Sequence, residues 1–164
     1  NWLTGVLPRK NCLVRPPVAN VDKLVITVSA GTPKADLLLT DRLLFACRHA
    51  AVSPVLVVNK ADEGEEEAQR IAQCYRDASD GLFVVSAREE QGLEELREAL
   101  SGTIHAFGGQ SGVGKSTLVV HLAQHFADIQ HVRSPTTHPG APPAGCCRGV
   151  SPERQEKTSE RTSH

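Results

Sequence analysis

The stretch Gly109-Gln110-Ser111-Gly112-Val113-Gly114-Lys115-Ser116 decides how the chain is read. It fits the spacing G-x-x-x-x-G-K-[ST]. An apolar run, Thr103–Phe107, comes just before it, and a helical pattern, Leu118, Leu122 and Phe126, follows. A strand, a glycine loop and a helix N-terminus in that order make a phosphate cradle. Glycines let successive backbone N–H groups curl round phosphate oxygens, and the helix end adds its partial positive charge. Lys115 is placed to reach the outer phosphates and the Ser116 hydroxyl to ligate Mg²⁺. Gly109 to Thr117 are therefore the phosphate-binding candidates. The competing explanation is a glycine-rich turn with no ligand. Chance alone gives the motif in on the order of 1 in 100 chains of this length, which favours the cradle.

Working outward, short apolar runs alternate with helical patterns from Lys23 to Ala127. Lys23–Ala30, Pro54–Asn59, Leu82–Ser86 and Thr103–Phe107 are β-branched and bounded by Gly, Pro, Asn or Ser, so they are expected to be strands buried on both faces. Ala35–Ala51 sets Asp41, Arg42, Arg48 and His49 on one side and leucines opposite. Glu63–Arg76 spaces Ala68, Ile71, Ala72 and Tyr75 as a helix does, and Gly92–Leu100 does so with Leu93, Leu96 and Leu100. Strand–helix repeated in this way predicts an α/β fold with a mostly parallel sheet and right-handed crossovers.

A phosphate cradle does not choose a base. Asn59-Lys60-Ala61-Asp62 stands at the C-terminal end of an apolar strand, where parallel sheets bind ligands. A carboxylate there accepts two hydrogen bonds from guanine, from the ring imino N–H and the exocyclic amine. Adenine lacks that donor pair and would leave the carboxylate unpaired, a mismatch that can cost roughly 10⁴-fold. Ser86-Ala87 ends the next strand and is expected to bring a backbone N–H to the guanine carbonyl. Asn59, Lys60, Asp62, Ser86 and Ala87 are thus the guanine-binding candidates.

The rest of the chain bounds these expectations. With 18 basic and 19 acidic residues the net charge is −1, which excludes a polycation that binds nucleic acid by charge alone. Mean hydropathy is −0.24, and no apolar run suits a transmembrane helix or a secretory leader. There is no methionine, so the sequence reads as a processed chain or a fragment. Cys12, Cys47, Cys74, Cys146 and Cys147 contain no C-x-x-C pair; no zinc is expected, and reduced thiols of a cytosol-like compartment fit better. His121 and His125 are four apart but lack the glutamate of H-E-x-x-H, and the acidic run Glu63–Glu67 suits a helix start. Residues 132–164 hold Pro135, Pro139, Pro142, Pro143 and Pro152 with no Leu, Ile or Phe, the composition of a disordered tail.

The order of the motifs is itself informative. In most P-loop GTPases the phosphate loop precedes the base-reading loop, whereas here Asn59–Asp62 precedes Gly109–Ser116. A sheet whose termini lie close together can be reopened elsewhere, which is circular permutation. With both motifs in inverted order, and with Leu7-Pro-Arg-Lys-Asn-Cys-Leu-Val-Arg-Pro-Pro-Val-Ala-Asn-Val-Asp22 ahead of them, the chain resembles the circularly permuted GTPases that depend on the small ribosomal subunit and act in its maturation. The resemblance runs from about residue 7 to Thr137.

That resemblance implies a P-loop GTPase-type domain over residues 23–131, a linker remnant from an oligonucleotide-binding barrel over 1–22, and a tail from 132. It implies GTP and GDP as ligands, Mg²⁺ as cofactor, GTP hydrolysis as the reaction, and the small ribosomal subunit and its rRNA as partners. A monomer in the cytoplasm or an organellar matrix follows from it, prone to aggregation if truncated. Arg133-Ser-Pro-Thr-Thr-His138 resembles the family's first switch, with Thr136 or Thr137 as candidate Mg²⁺ contact, and Arg9, Lys10 and Arg15 are candidates for RNA phosphates. The family's D-x-x-G, which supports Mg²⁺ and senses the γ-phosphate, occurs nowhere in the chain, and no catalytic residue is assigned. A guanine-nucleotide-binding module without turnover and a fragment without function are the rivals. An ATP-using P-loop kinase is disfavoured by Asn59–Asp62.

Overall fold

Two seven-residue strands with aliphatic centres, Lys23–Ser29 (β3) and Ser53–Asn59 (β4), pair in parallel through their full length. They form the middle of the sheet in the computed structural model, which describes residue 5 and residues 7–124. Gly81–Val84 (β5) adds to the far side of β4 and His105–Gly108 (β6) to the far side of β3. The order β5-β4-β3-β6 is parallel throughout.

Alternation along the central strands sends side chains to two separate cores. Leu24, Ile26 and Val28 of β3 and Leu56 and Val58 of β4 meet Leu37–His49 (α1) and Glu65–Tyr75 (α2) through Leu43, Leu44, Cys47, Ala68, Ile71 and Tyr75. Val25, Val55 and Val57 point the other way, against Leu93–Leu100 (α3) and Lys115–Gln124 (α4) through Leu96, Leu100, Leu118 and Leu122. The result is three layers with helices on both faces, the arrangement that parallel sheets need to stay dry. Each fully buried leucine or isoleucine in it contributes about 1.5–3 kcal/mol.

Burial on both faces holds for β3 and β4 but not for the outer strands. All four residues of β5 and three of the four in β6 are only half-buried. Each has a single hydrogen-bonded neighbour among the described residues, so the helices cover the middle of the sheet better than its margins. Not every leucine of α1 faces inward either: Leu38 and Phe45 are 60% and 75% exposed, and Phe45 stacks on His49 at 6.5 Å. Asp36 caps α1 by accepting from the Leu39 amide at 2.9 Å, which starts the helix two residues later than its periodicity predicts. Phe126 lies outside the described residues.

Ahead of β3, Cys12–Leu13 (β1) and Val18–Ala19 (β2) form a small antiparallel hairpin whose Leu13, together with Val21, enters the first core. Buried Asn11 holds the hairpin stem. Its Nδ2 donates to the Val21 carbonyl at 2.7 Å and its Oδ1 accepts from the Val21 amide at 3.0 Å. Lys10 Nζ pairs with Asp22 at 2.5 Å, and this contact, ahead of the Ile104 amide, draws the Asp22 carboxyl below its usual range. Asn11→Ala should lower unfolding stability by about 2–3 kcal/mol in urea titration, because it strands a buried donor and acceptor together.

Candidate functional site

The chain emerging from β6 makes its first turn against the neighbouring strand. Gly109 has φ +129°, and a Cβ there would overlap the carbonyl of Thr27 on β3, so only glycine allows this approach. Gly112 and Gly114 also lie at positive φ, and the Leu118 amide donates to the Gly114 carbonyl at 2.9 Å, where α4 begins. Val113 and Leu118 are buried beneath the loop, whereas Ser111, Ser116 and Thr117 face solvent. Lys115 Nζ donates to the carbonyls of Gly109 at 3.1 Å and Gln110 at 2.5 Å, and partial burial depresses its pKa below the ordinary lysine value. The glycine loop thus wraps an ammonium group, flanked by hydroxyls at a helix N-terminus. That is a setting suited to polyanions.

The end of β4 meets this loop directly. Asn59 is buried, and its Nδ2 donates to the Val113 carbonyl at 2.9 Å. Its Oδ1 accepts from the Ala87 amide at 3.1 Å. One side chain therefore joins three loops that are distant in sequence. Asp62 follows in the short 3₁₀ turn Ala61–Glu63, and its Oδ1 accepts from the buried Ser86 hydroxyl at 2.7 Å. Ser86 Oγ also accepts from the Glu89 amide at 3.2 Å. The Ser86–Ala87 pair lies beyond the end of β5, and in this structure the Ala87 amide is engaged by Asn59. Through these two contacts the pair is tied to the Asn59–Asp62 loop.

A third element carried no motif. Gly31–Asp36, between β3 and α1, packs between the two loops. Lys60, itself in the left-handed region at φ 62°, donates from Nζ to the Thr32 carbonyl, and Glu63 Oε2 accepts from the Thr32 amide at 2.8 Å. The Asp36 amide donates to Gln110 Oε1 at 3.2 Å, and a Cβ at Gly112 would lie 3.4 Å from Pro33 Cδ. Its one signal in the sequence was position: a Gly-Thr-Pro at the C-terminal end of a central parallel strand.

Other candidates stand apart. His121 Nδ1 lies 3.5 Å from Glu90 on an exposed surface, and among the described residues no group of three or more His, Cys, Asp or Glu could hold a metal ion. No helix among the described residues is long and apolar enough to cross a membrane. His125, Thr136, Thr137, the 133–138 segment, Cys146 and Cys147 lie outside the described residues. The three-loop junction gives a direct test. Asn59→Ala leaves the buried Val113 carbonyl and Ala87 amide without partners, and should cost about 2–3 kcal/mol of stability in urea. Asn59→Asp should cost at least as much, since it sets a carboxylate oxygen against the Val113 carbonyl.

The RsgA GTPase family pattern matches residues 6–138. Curated relatives carry the name Small ribosomal subunit biogenesis GTPase RsgA. The one from Ruminiclostridium cellulolyticum is 39% identical over 121 residues, 74% of this chain and 40% of the relative. The one from Moorella thermoacetica is 41% identical over 112 residues, 68% of this chain and 39% of the relative. The chain thus spans about 40% of the length of these relatives. Among solved structures, YjeQ from Thermotoga maritima superposes with a TM-score of 0.65 at 34% identity, covering 72% of this chain and 44% of that one. YloQ, described as a circularly permuted GTPase, superposes at 0.58 with 31% identity, covering 70% and 42%. A base-loop motif ahead of the phosphate loop, a parallel sheet that joins them, and these matches give one conclusion: the chain belongs to the RsgA GTPase family.

Proposed function

We propose that this chain binds GTP and GDP, with the phosphates on Gly109–Thr117 and guanine on Asn59, Lys60, Asp62, Ser86 and Ala87. The observation that carries the proposal is the Asn59 junction, which brings the Asp62 loop and the phosphate loop to one place although they lie far apart in sequence. Asp62 offers guanine a carboxylate whose other oxygen is steadied by Ser86, and Lys115 is ready to exchange two backbone carbonyls for phosphate oxygens.

Magnesium fits the residues present. Ser116 presents an exposed hydroxyl in the first turn of α4, and hydroxyl and phosphate oxygens are the hard ligands this ion takes. When bound, the ion would neutralise charge on the outer phosphates. Thr136 or Thr137 remains the proposed second protein contact.

For the whole protein, family membership supports GTP hydrolysis in the maturation of the small ribosomal subunit, in contact with its rRNA. Catalysis there would rest on positioning and charge stabilisation rather than on a covalent intermediate. No D-x-x-G occurs in these 164 residues, so phosphate release from GTP by this chain should be orders of magnitude slower than by a full-length relative, because positioning groups act as a unit.

Calorimetric titration with GTP, GDP and ATP in Mg²⁺ tests the assignment. Guanine nucleotides should bind at least about a hundredfold tighter than ATP. Asp62→Asn should move the preference toward xanthine nucleotides, whose carbonyl replaces the guanine amine and can accept from the new amide. Equal affinity for GTP and ATP would refute the guanine assignment. In the same titration Lys115→Ala should weaken GTP and GDP by about 2–4 kcal/mol, the cost of truncating a charge-assisted contact. An unchanged affinity would make the glycine loop a structural turn.

A further inference from the structure

Gly31–Asp36 touches both halves of the proposed nucleotide site through contacts that neither sequence motif specifies. On the base-loop side both backbone groups of Thr32 are taken up: its amide by Glu63 Oε2 at 2.8 Å, its carbonyl by Lys60 Nζ. Glu63 Oε1 lies 3.9 Å from that same ammonium, a long and partly solvated pairing that adds little to the hold on Lys60. The fit is close. A Cβ on Gly31 would fall 2.5 Å from Glu63 Cβ and nearer still to Oε2. On the phosphate-loop side Pro33 lies beside Gly112, and the Asp36 amide donates to Gln110.

We propose that Glu63 is a positioning residue: by clamping Thr32 it holds Pro33 and Asp36 against the phosphate loop, so that the phosphate half of the site is ordered by the base half. This inference rests on the nucleotide reading given above and adds a coupling element to it. The physical reason is preorganisation. A loop fixed before the ligand arrives costs no ordering at binding, and releasing it transfers that cost to the ligand. Asp62 and Ser86 form their own contact on the other side of the 3₁₀ turn and do not depend on the clamp. Thr32 is exposed, so water can replace Glu63 as partner for its amide, and losing the clamp should change global stability little.

The test compares guanosine, GMP and GDP by displacement of a fluorescent GDP from the full chain, with melting curves alongside. In Glu63→Ala, GDP affinity should fall about tenfold while guanosine affinity stays within about twofold, with an almost unchanged melting temperature. Glu63→Gln keeps an acceptor for the Thr32 amide and should retain most of the GDP affinity. Gly31→Ala, which pushes the carboxylate away from the other side, should reproduce the GDP loss. Wild-type GDP affinity in both Glu63→Ala and Gly31→Ala overturns the clamp while leaving the nucleotide reading intact. So does a parallel fall of guanosine, GDP and melting temperature, which would mark a merely structural role. A wild-type chain that binds GDP no better than ADP overturns the nucleotide reading and the clamp with it.

Discussion

The buried side chain of Asn59 is the constraint on which the arrangement of loops depends. A primary amide taken out of water needs partners for both its ends, and here those partners are the Val113 carbonyl and the Ala87 amide, each on a different loop. The phosphate loop cannot swing away from β4 without stranding an amide and a carbonyl. Gly114 follows from the same contact, since a Cβ at that position, already at φ +94°, would overlap Asn59 Nδ2. What sequence motifs record as two separate signatures is physically one hydrogen-bonded junction at the C-terminal end of a parallel sheet.

Much of this was legible from the residues. The central strands announce themselves because Leu24–Val28, interrupted only by Thr27, and Val55–Val58 are short β-branched apolar runs of the kind that parallel sheets bury on both faces. Gly109–Ser116 and Asn59–Asp62 stand out because each sets particular residue types at a fixed spacing that is rare by chance. The hairpin at 12–19 does not, since strands of two residues carry no periodicity and Asn11 reads as an ordinary turn residue. Half-burial of β5 and β6 also escaped, because composition reports the side chains of a strand but not how many neighbours it has. Gly31–Asp36 was missed for a related reason. Its contacts run largely through the Thr32 and Asp36 backbones, and backbone groups leave no trace in sequence.

Electrostatics in the site follow burial more than net charge. Lys115 is depressed by desolvation while surrounded by carbonyl dipoles, whereas Glu67 is held below its usual range chiefly by its hydrogen bonds to Arg70 on an exposed helical turn. The first is a partly buried ammonium held by two neutral carbonyl oxygens; the second is a solvated pair worth little to stability. Cys47, fully buried between α1 and the sheet, has its thiol pushed up to about 11, which makes it core material.

The parallel pairing of β6 with β3 has a further consequence in the order of events as the chain is made. Lys23 lies opposite His105, and Asp22 bonds Ile104 across 82 residues, while β3, α1, β4, α2 and β5 are contiguous. Synthesis from the N-terminus therefore delivers β3, β4 and β5 with the Asn59–Asp62 loop before the strand carrying the glycine loop has been translated. Closing so long a loop is the slow, entropically costly step of such a topology. Until it is taken, Asn59 Nδ2 has no Val113 to meet, and the open side of β3 is an unpaired edge. In this order the glycine loop is the keystone set last, and a nascent chain passes through an interval in which the Asn59–Asp62 loop is built but the loop it is tied to does not yet exist.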